Sequence, residues 1–210
     1  MLFPSSSAFP GLQAEELLES MIPPQILGEY LSGQVGFLSN VASMGFCQIY
    51  IRSPPQPPQS TLSAPAASGG PGGRRGSAMD GGPSPGELMQ KLHDLFKRID
   101  SIVGVYAVRG VTKIETVSKT YLLCAGLLEP VEDHASAMID VCLEIMNMVN
   151  KSFSKNQRIP ITMRIGIASG NVVGGIIGSS RRYFRVFGDT VNVSARMCTN
   201  AKDGQIQFSR

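Results

Sequence analysis

The order of the predicted elements indicates an α+β sandwich, in which helices pack on one face of a mostly antiparallel sheet. Apolar residues recur at helical spacing in two long segments that alternate with strand-like runs. Two of these runs, Val111 to Val117 and Thr120 to Leu127, are separated only by Ser118 and Lys119. Because two residues suffice for a hairpin but not for a parallel crossover, the strands must be antiparallel. The resulting order of strands and helices is ferredoxin-like with additions.

The N-terminal part of the chain divides into three segments. Residues 1–40 form a helical lead-in, with helices predicted at Gln13 to Met21 and Gln25 to Leu31 on either side of a Pro-Pro break. Residues 41–52 contain an apolar run without charge as far as Ile51, which predicts a central strand buried on both faces. Residues 53–86 consist of Pro, Gly, Ser and Ala with few large apolar side chains, which is typical of a disordered insert.

Residues 87–210 carry the regular part of the pattern. The spacing of apolar residues predicts one helix from Leu88 to Val103 and another over Asp133 to Phe153, whose methionines we interpret as core filler. Further elements are predicted as a strand at Ile161 to Ser169, a strand or hairpin at Val172 to Phe187, a helix over 189–200 and a last strand at Gln205 to Phe208.

Composition excludes several classes of function. The net charge of +3 and the absence of a basic stripe interleaved with aromatic residues argue against a nucleic-acid partner. The longest apolar run, residues 159–178, contains Arg164 and Asn171, so we predict no membrane span in this chain. The N-terminus lacks a basic flank followed by an apolar run, so we predict no secretory signal in this sequence. The four cysteines are scattered without a Cys-x-x-Cys pair, which favours reduced thiols over a disulfide framework or a zinc site.

The stretch from Arg185 to Met197 holds the strongest functional pattern. It predicts a strand, a glycine turn and a helix whose N-cap is Asp189 or Thr190. Asn192 and Arg196 then lie four residues apart on one helix face. An amide and a guanidinium in this geometry suit a ring oxygen and a phosphate. The alternative is that Arg196 is a solvated helix charge and Asn192 a second cap.

Four stretches together carry a resemblance to a known family. They are Leu18 to Pro24, Lys113 to Thr116, Met163 to Ile167, and Phe187 through Met197. In this order they resemble the catalytic domain of the class III nucleotide cyclases, which include adenylate and guanylate cyclases. The resemblance implies a ferredoxin-like cyclase sandwich that pairs head to tail with a second cyclase domain. It also implies an active site across the interface, where one domain holds two divalent metals and the other supplies purine contacts and an Asn/Arg pair.

The resemblance assigns roles to five residues of this chain. Asn192 falls on the ribose-positioning asparagine and Arg196 on the transition-state arginine. Glu115 falls where guanylate cyclases read the guanine edge, since a carboxylate accepts from N1–H and the 2-amino group; the alternative is a strand-surface glutamate. Arg185 occupies the second purine-reading position, where it matches neither the cysteine of guanylate cyclases nor the aspartate of adenylate cyclases. We place Asp189 with these residues as substrate-binding.

The metal-binding aspartates of the family are replaced in this chain. Gln48 stands at the first position and Lys119 at the second. Because a neutral amide is a poor magnesium ligand and an ammonium repels the ion, we predict no metal ligands here. Mg²⁺ or Mn²⁺ is then held by the partner domain. The family carries a phosphate-clamping lysine on a hairpin beyond the last helix. This sequence ends at Arg210, before that hairpin, so we predict a C-terminally incomplete domain.

These observations favour a cyclase half-site in intracellular signalling. The substrate is a nucleoside triphosphate, GTP or ATP, with cGMP favoured over cAMP as the product, and the partner is a second cyclase domain in a heterodimer. The alternative is a catalytically inactive pseudo-cyclase that dimerises and regulates a partner cyclase. A fragment of a longer protein also fits the pattern, whereas an enzyme acting as a homodimer fits it least. The expected location is the cytoplasm, or the cytoplasmic face of a membrane within a larger protein.

Overall fold

The computed structural model describes residues 22–32, 37–51, 83–153, 159–178 and 183–209. The predicted helix Gln13 to Met21 lies outside these ranges. So does most of the predicted insert, except for residues 83–86 at its end. Of these four residues, Pro85 and Gly86 already belong to a helix. Its start fits the sequence because Ser84 and Glu87 form a capping box, in which each side chain accepts from the other residue's backbone N–H.

The described elements follow the predicted order. The helices are α1 (Pro24–Leu31), α2 (Pro85–Tyr106), α3 (His134–Ser152) and α4 (Asp189–Asn200), and a 3₁₀ turn, Ala107–Arg109, follows α2. The strands are β1 (Phe37–Ile51), β2 (Val111–Val117), β3 (Thr120–Ala125), β4 (Ile161–Ile177), β5 (Tyr183–Phe187) and β6 (Ile206–Phe208).

The sheet has the strand order β2-β3-β1-β4-β5, and β6 pairs with β4. Every neighbouring pair along the β2-to-β5 path is antiparallel, while β6 runs parallel to β4 at Ile165–Ile167. The four strands β2, β3, β1 and β4 with helices α2 and α3 form the ferredoxin-like unit. The predicted fold class, a cyclase-type α+β sandwich with a mostly antiparallel sheet, is confirmed.

Helices α2 and α3 cover one face of the sheet and enclose the main core. Their buried apolar residues recur at the spacing that the sequence predicted, because each helix turns the same stripe toward the strands. Met138 and Met146 lie in this core, in agreement with their interpretation as filler. The core is formed by residues such as Leu95, Ile99, Val141, Ile145, Leu123 and Ile165.

Helix α4 packs against β4 on the other face. Gly166 makes this packing possible, because a Cβ at that position would overlap the carbonyl oxygen of Ser194 and the backbone of Cys198. A second apolar cluster on the same face joins Ile26 of α1, and Ile22 just before this helix, to the strands. Both Ser194 and Cys198 are buried, so the helix is held with one fixed side toward the sheet.

The boundary predicted inside the longest strand is wrong. Residues 161–177 form a single strand of 17 residues, not a strand that ends at Ser169 and another that begins at Val172. Strand β1 spans 15 residues and pairs with β4 from Phe37↔Gly175 to Ile51↔Ile161, so the ladder continues through Gly170. This continuity depends on a partner strand and is invisible in the local sequence.

The described residues include no helix with both the length and the apolar character needed to cross a lipid bilayer. All four cysteines are free and buried. Burial raises the pKa of Cys124 to about 12 and that of Cys198 to about 11. Because the thiolate is the reactive form, neither thiol is suited to nucleophilic chemistry near neutral pH.

Candidate active site

Helix α4 begins at a tight turn whose cap differs from the predicted one. The N-cap is Gly188, with φ of 131°, and Asp189 lies in the first turn. A Cβ at Gly188 would come within 2.9 Å of the Asn171 carbonyl oxygen, which explains the glycine. The Thr190 hydroxyl donates to that same carbonyl at 2.8 Å and therefore ties the helix to β4 instead of capping it. The prediction of Asp189 or Thr190 as N-cap is wrong for this reason.

Asn192 and Arg196 both lie on the exposed side of α4. Between them, Ser194 is buried against the sheet, which fixes the rotation of the helix and turns the amide and the guanidinium outward. Asp189 is exposed in the first turn of the same helix. The structure thus presents the pair on one helix face, with the spacing that the sequence predicted.

Glu115 and Arg185 form an ion pair. Glu115 lies on β2 and Arg185 on β5, and the Arg185 guanidinium contacts the Glu115 carboxylate through Nη1 and Oε2. The two side chains are 27% and 39% exposed, respectively, so water reaches the pair only in part. The two residues that the sequence assigned to the purine edge are therefore brought together, although 70 positions separate them in the chain.

A curled sheet explains how the two edge strands meet. In the strand order, β2 and β5 lie at opposite ends of the sheet. Ile114, next to Glu115, and Val186, next to Arg185, both pack against the second apolar cluster. Val191, next to Asn192, packs against the same cluster. This shared packing gathers the ion pair and the start of α4 at one end of the molecule.

A cavity of about 200 Å³ lies beside Glu115. Three of its five lining residues are apolar, and Glu115 and Thr120 are the polar ones. A mostly apolar concave surface with a few polar groups is the usual form of a small-molecule site. The lining residues are Phe46, Glu115, Val117, Thr120 and Leu122.

Gln48 and Lys119 lie close together, as the family's metal positions would. Gln48 pairs with Thr120 across β1 and β3, and the Ile49 N–H donates to the Lys119 carbonyl at 2.8 Å. The Gln48 side-chain oxygen accepts a hydrogen bond from the Tyr50 hydroxyl at 2.7 Å. The one oxygen that this pair of side chains could offer to a metal is thus already engaged.

The surroundings of Gln48 add positive charge. Arg164 is its partner on β4, and the Arg164 guanidinium lies 4.3 Å from the centre of the Tyr50 ring. Arg164 also donates to the Asp203 carboxylate at 2.8 Å. Among the described residues no group of three His, Cys, Asp or Glu side chains could hold a metal ion. An amide, an ammonium and a guanidinium do not fit a divalent cation.

A family of known proteins matches this arrangement. The family described as the Adenylate and Guanylate cyclase catalytic domain matches residues 77–210. This chain belongs to that family. The prediction of a class III nucleotide cyclase domain is confirmed.

Individual relatives agree with this assignment. The soluble guanylate cyclase gcy-32 of Caenorhabditis elegans is 27% identical over 199 residues, which are 94% of this chain and 25% of that protein. The chain therefore spans about a quarter of the length of this curated relative. The guanylate cyclase domain of RhGC from Catenaria anguillulae, solved in complex with GTP, has a TM-score of 0.60 at 27% identity and covers 83% of this chain and 80% of that one.

A second structural relative is a dimer. The guanylyl cyclase domain of the RhoGC fusion protein from Blastocladiella emersonii, described as an unconventional dimer, has a TM-score of 0.60 at 26% identity. The match covers 83% of this chain and 81% of that one. Cyclase domains similar to this one thus include both a nucleotide complex and a dimeric assembly.

The sequence reasoning missed several residues of the site. No role in the site was predicted for Arg164, Tyr50 or Asp203. An arginine within an apolar strand was the available signal, because such a charge needs a partner inside the fold. The Glu115–Arg185 pair had no local signal, since only the curl of the sheet brings these residues together.

Proposed function

We propose that this cyclase domain supplies the purine pocket and the transition-state arginine to an active site that it shares with a second cyclase domain. The observation that carries the proposal is the unequal state of the two halves of the site. Asn192 and Arg196 are displayed outward on α4, whereas the Gln48 amide, bound by Tyr50, and the exposed Lys119 ammonium are poor ligands for a divalent cation. The reaction would form a 3',5'-cyclic nucleotide from the nucleoside triphosphate.

Each residue on α4 has a definite chemical task in this proposal. The Arg196 guanidinium would neutralise the charge that develops on the transferring phosphoryl group, where a fixed cation lowers the barrier most. The Asn192 amide would hold the ribose ring, so that its 3'-hydroxyl points at the phosphorus. Asp189, in the first turn of α4, would bind the substrate near the start of this helix. The divalent cation, Mg²⁺ or Mn²⁺, would be held by groups of the partner domain.

The base we favour is guanine. Glu115 lines the cavity of about 200 Å³, and a carboxylate accepts from the N1–H of guanine but repels the N1 lone pair of adenine. Arg185 contacts the same carboxylate and so belongs to the base-reading part of the site. The domain would act in intracellular signalling, in the cytoplasm or at the cytoplasmic face of a membrane within a larger protein.

An apolar surface on β1, β4 and β5 fits a protein partner. Cross-strand pairing places Phe37, Val173, Ile177, Tyr183 and Phe187 on one sheet face, and each is at least 40% exposed. Arg185 lies between Tyr183 and Phe187 on the same face of β5. Exposed apolar residues grouped on one face are typical of interaction sites. We assign this β4–β5 surface to the second cyclase domain, because a similar cyclase domain forms a dimer.

Co-expression with a cyclase domain that carries both metal-binding aspartates tests the proposal. The pair should form cyclic nucleotide in the presence of Mn²⁺, and Arg196→Ala in this chain should lower turnover by about 10²-fold or more. Lys202→Ala is a matched control, since Lys202 lies beyond the end of α4 and is exposed. Equal turnover from the wild type and Arg196→Ala would contradict the proposal.

The Gln48–Tyr50 hydrogen bond also favours a second candidate function, a pseudo-cyclase that dimerises and regulates a partner without catalysis. In that case the chain would bind GTP or ATP but contribute nothing to turnover. Calorimetry with both nucleotides, combined with the co-expression assay, separates the two functions. Tight binding without partner-dependent product supports the regulator, whereas product that depends on Arg196 supports the half-site.

A further inference from the structure

A polar groove lies between helices α2 and α3, on a part of the surface that the proposed function does not use. It has a volume of about 540 Å³ and is bounded by one stripe of α2 and by the C-terminal end of α3. The described residues that line it include three cations, Lys91, Lys97 and Arg98, and one carboxylate, Asp94. These four side chains give the groove a net formal charge of +2. The other lining residues are Ser101, Ser152 and Phe153.

The Arg98 guanidinium is held in place by contacts that leave its charge uncompensated. Its Nη1 donates to the Ser152 hydroxyl oxygen at 3.0 Å, and its Cζ lies 5.5 Å from the centre of the Phe153 ring. Phe153 is only 3% exposed, so its ring is a fixed wall for this contact. Because the hydroxyl contact uses only part of the five N–H donors, the guanidinium keeps donors for an anion. An arginine held in this way loses little conformational entropy when it binds a ligand.

Neighbouring groups do not cancel the positive charge of the groove. None of the ion pairs between described residues includes Lys97 or Arg98. The Asp94 carboxylate accepts a hydrogen bond from the Gln90 amide at 3.0 Å. The negative end of the α3 dipole also lies at the groove, but it is equivalent to only about half an elementary charge. The groove therefore remains positive and attracts anionic groups.

The spacing of the cations indicates what kind of anion fits. Lys91 and Arg98 are seven residues apart on α2, so they lie on one helix face, about 10 Å apart along the axis. A single phosphate group, whose oxygens surround one atom, cannot contact both side chains. A flat bilayer surface cannot enter the concave space between two helices. A peptide with acidic side chains at a similar spacing can contact both cations from within the groove.

We infer that the α2–α3 groove is a docking site for an acidic peptide segment of a protein partner. Acidic side chains of the segment, about 10 Å apart, pair with Lys91 and Arg98. The planar guanidinium of Arg98 can bind its carboxylate through two parallel N–H groups. Asp94 lies between these two cations along α2, so it disfavours a further acidic side chain at the centre of the groove. The inference is independent of the proposed catalytic role, because none of the lining residues belongs to the candidate active site.

Fluorescence anisotropy of the full chain with a labelled peptide tests the inference. The probe is an alanine-based helical peptide with two pairs of glutamates, the pairs seven residues apart, and the matched peptide has glutamine at these places. The wild type should bind the glutamate peptide at least about tenfold more tightly than the glutamine peptide, as expected for several partly exposed ion pairs. Higher ionic strength should weaken this binding, because salt screens exposed charges.

Three variants separate the groove from the net charge of the chain. Arg98→Gln keeps a long polar side chain beside Phe153 and should weaken binding of the glutamate peptide by about tenfold. Lys202→Ala removes an exposed cation beyond the end of α4 and should leave the affinity within about twofold of the wild type. Asp94→Asn removes a carboxylate of the lining and should strengthen binding by about threefold. A merely structural role of Asp94 would not produce such a gain.

Several results would overturn the inference. They are equal affinity for the two peptides, equal binding by the wild type and Arg98→Gln, and a loss in Lys202→Ala as large as that in Arg98→Gln. Vesicles that contain phosphatidylserine are tested in parallel, and binding to them without binding to the peptide would also contradict a peptide site. Thermal unfolding curves show which variants are folded. If Arg98→Gln is not, Lys97→Ala at an exposed position of α2 replaces it and should weaken binding by about threefold.

Discussion

The two groups of candidate site residues in this chain, the purine and arginine residues and the residues at the predicted metal positions, differ in their electrostatics. On α4 and the β2–β5 edge, the side chains that would meet the nucleotide are displayed: Asn192 and Arg196 are exposed, and Glu115 lines a cavity. At the β1 and β2–β3 positions, the Gln48 oxygen is bound by Tyr50, the Lys119 side chain is exposed, and the Arg164 guanidinium is paired with Asp203. The arginine side presents groups that suit an anion, whereas an amide and an ammonium are poor ligands for a divalent cation.

This contrast shows that the fold alone does not conserve a site. Both halves rest on the same sheet, and the ladder between β1 and β3 is regular at Gln48, where the metal would lie. The backbone positions are therefore preserved, and the difference between the halves is one of side-chain chemistry. Under the function proposed above, a second cyclase domain would supply the metal-binding carboxylates.

Disrupting the packing of α4 against β4 should have the largest effect, which is on the free energy of unfolding. Gly166→Ala should lower the free energy of unfolding by about 3 kcal/mol or more, because the added Cβ overlaps the backbone of Ser194 and Cys198 and the helix must move. Chemical denaturation measures this change. Gly104→Ala is the matched control, since nothing lies within 4 Å of its Cβ and alanine favours the helix. Equal stability of the two variants would show that α4 is not held at Gly166.

The second-largest effect is expected from a charge on the β4–β5 surface, which should weaken binding of a second cyclase domain. Ile177→Asp should reduce affinity for a second cyclase domain by about 30-fold, because an unpaired carboxylate would be desolvated in the interface. Analytical ultracentrifugation of the mixed domains measures the change. Val108→Asp serves as the control, since Val108 is 91% exposed on the turn after α2. A similar loss in both variants, or in neither, would place the interface elsewhere.

Introducing carboxylates at positions 48 and 119 tests directly whether these two side chains prevent metal binding. The double variant Gln48→Asp/Lys119→Asp should bind Mn²⁺ at least about 10-fold more tightly than the wild type, because two carboxylates replace an amide and a cation. Electron paramagnetic resonance of free Mn²⁺ measures the binding. Gln48→Asn/Lys119→Asn has similar side-chain size without the charge and should bind no better than the wild type. Failure of the aspartate variant would mean that Arg164 or the backbone also excludes the ion.

A change outside both halves should have the smallest effect. Ser84→Ala removes the capping box of α2 and should lower the free energy of unfolding by about 1 kcal/mol. Thermal unfolding measures this loss. Because α2 packs on the opposite face from α4, partner-dependent turnover below the unfolding temperature should not change. A parallel loss of turnover would show that the two faces are coupled.

The sequence predicted a helix, strand or turn correctly where the pattern that indicates it lies within one segment of the chain. The apolar spacing of α2 and α3 and the short link at Ser118-Lys119 are local signals, and the elements formed there as predicted. The four matching stretches predicted the family, and the last three of them lie within the matched residues 77–210. The predicted boundaries were wrong where they depend on contacts with another element. Strand β4 continues through Gly170 because β1 pairs with it. The N-cap of α4 is Gly188, and the Thr190 hydroxyl binds the Asn171 carbonyl instead of capping the helix.

By itself, the amino-acid sequence determined the fold class and the family, because both depend on short spacings and side-chain types, and it predicted that the metal ligands are replaced at Gln48 and Lys119. Tertiary structure alone decided that Glu115 and Arg185 pair, that Tyr50 binds the Gln48 oxygen, and that Val191 joins α4 to the curled sheet edge. The physical reason is that these contacts link different elements. Their partners are chosen by the twist and packing of the sheet, which no single segment encodes.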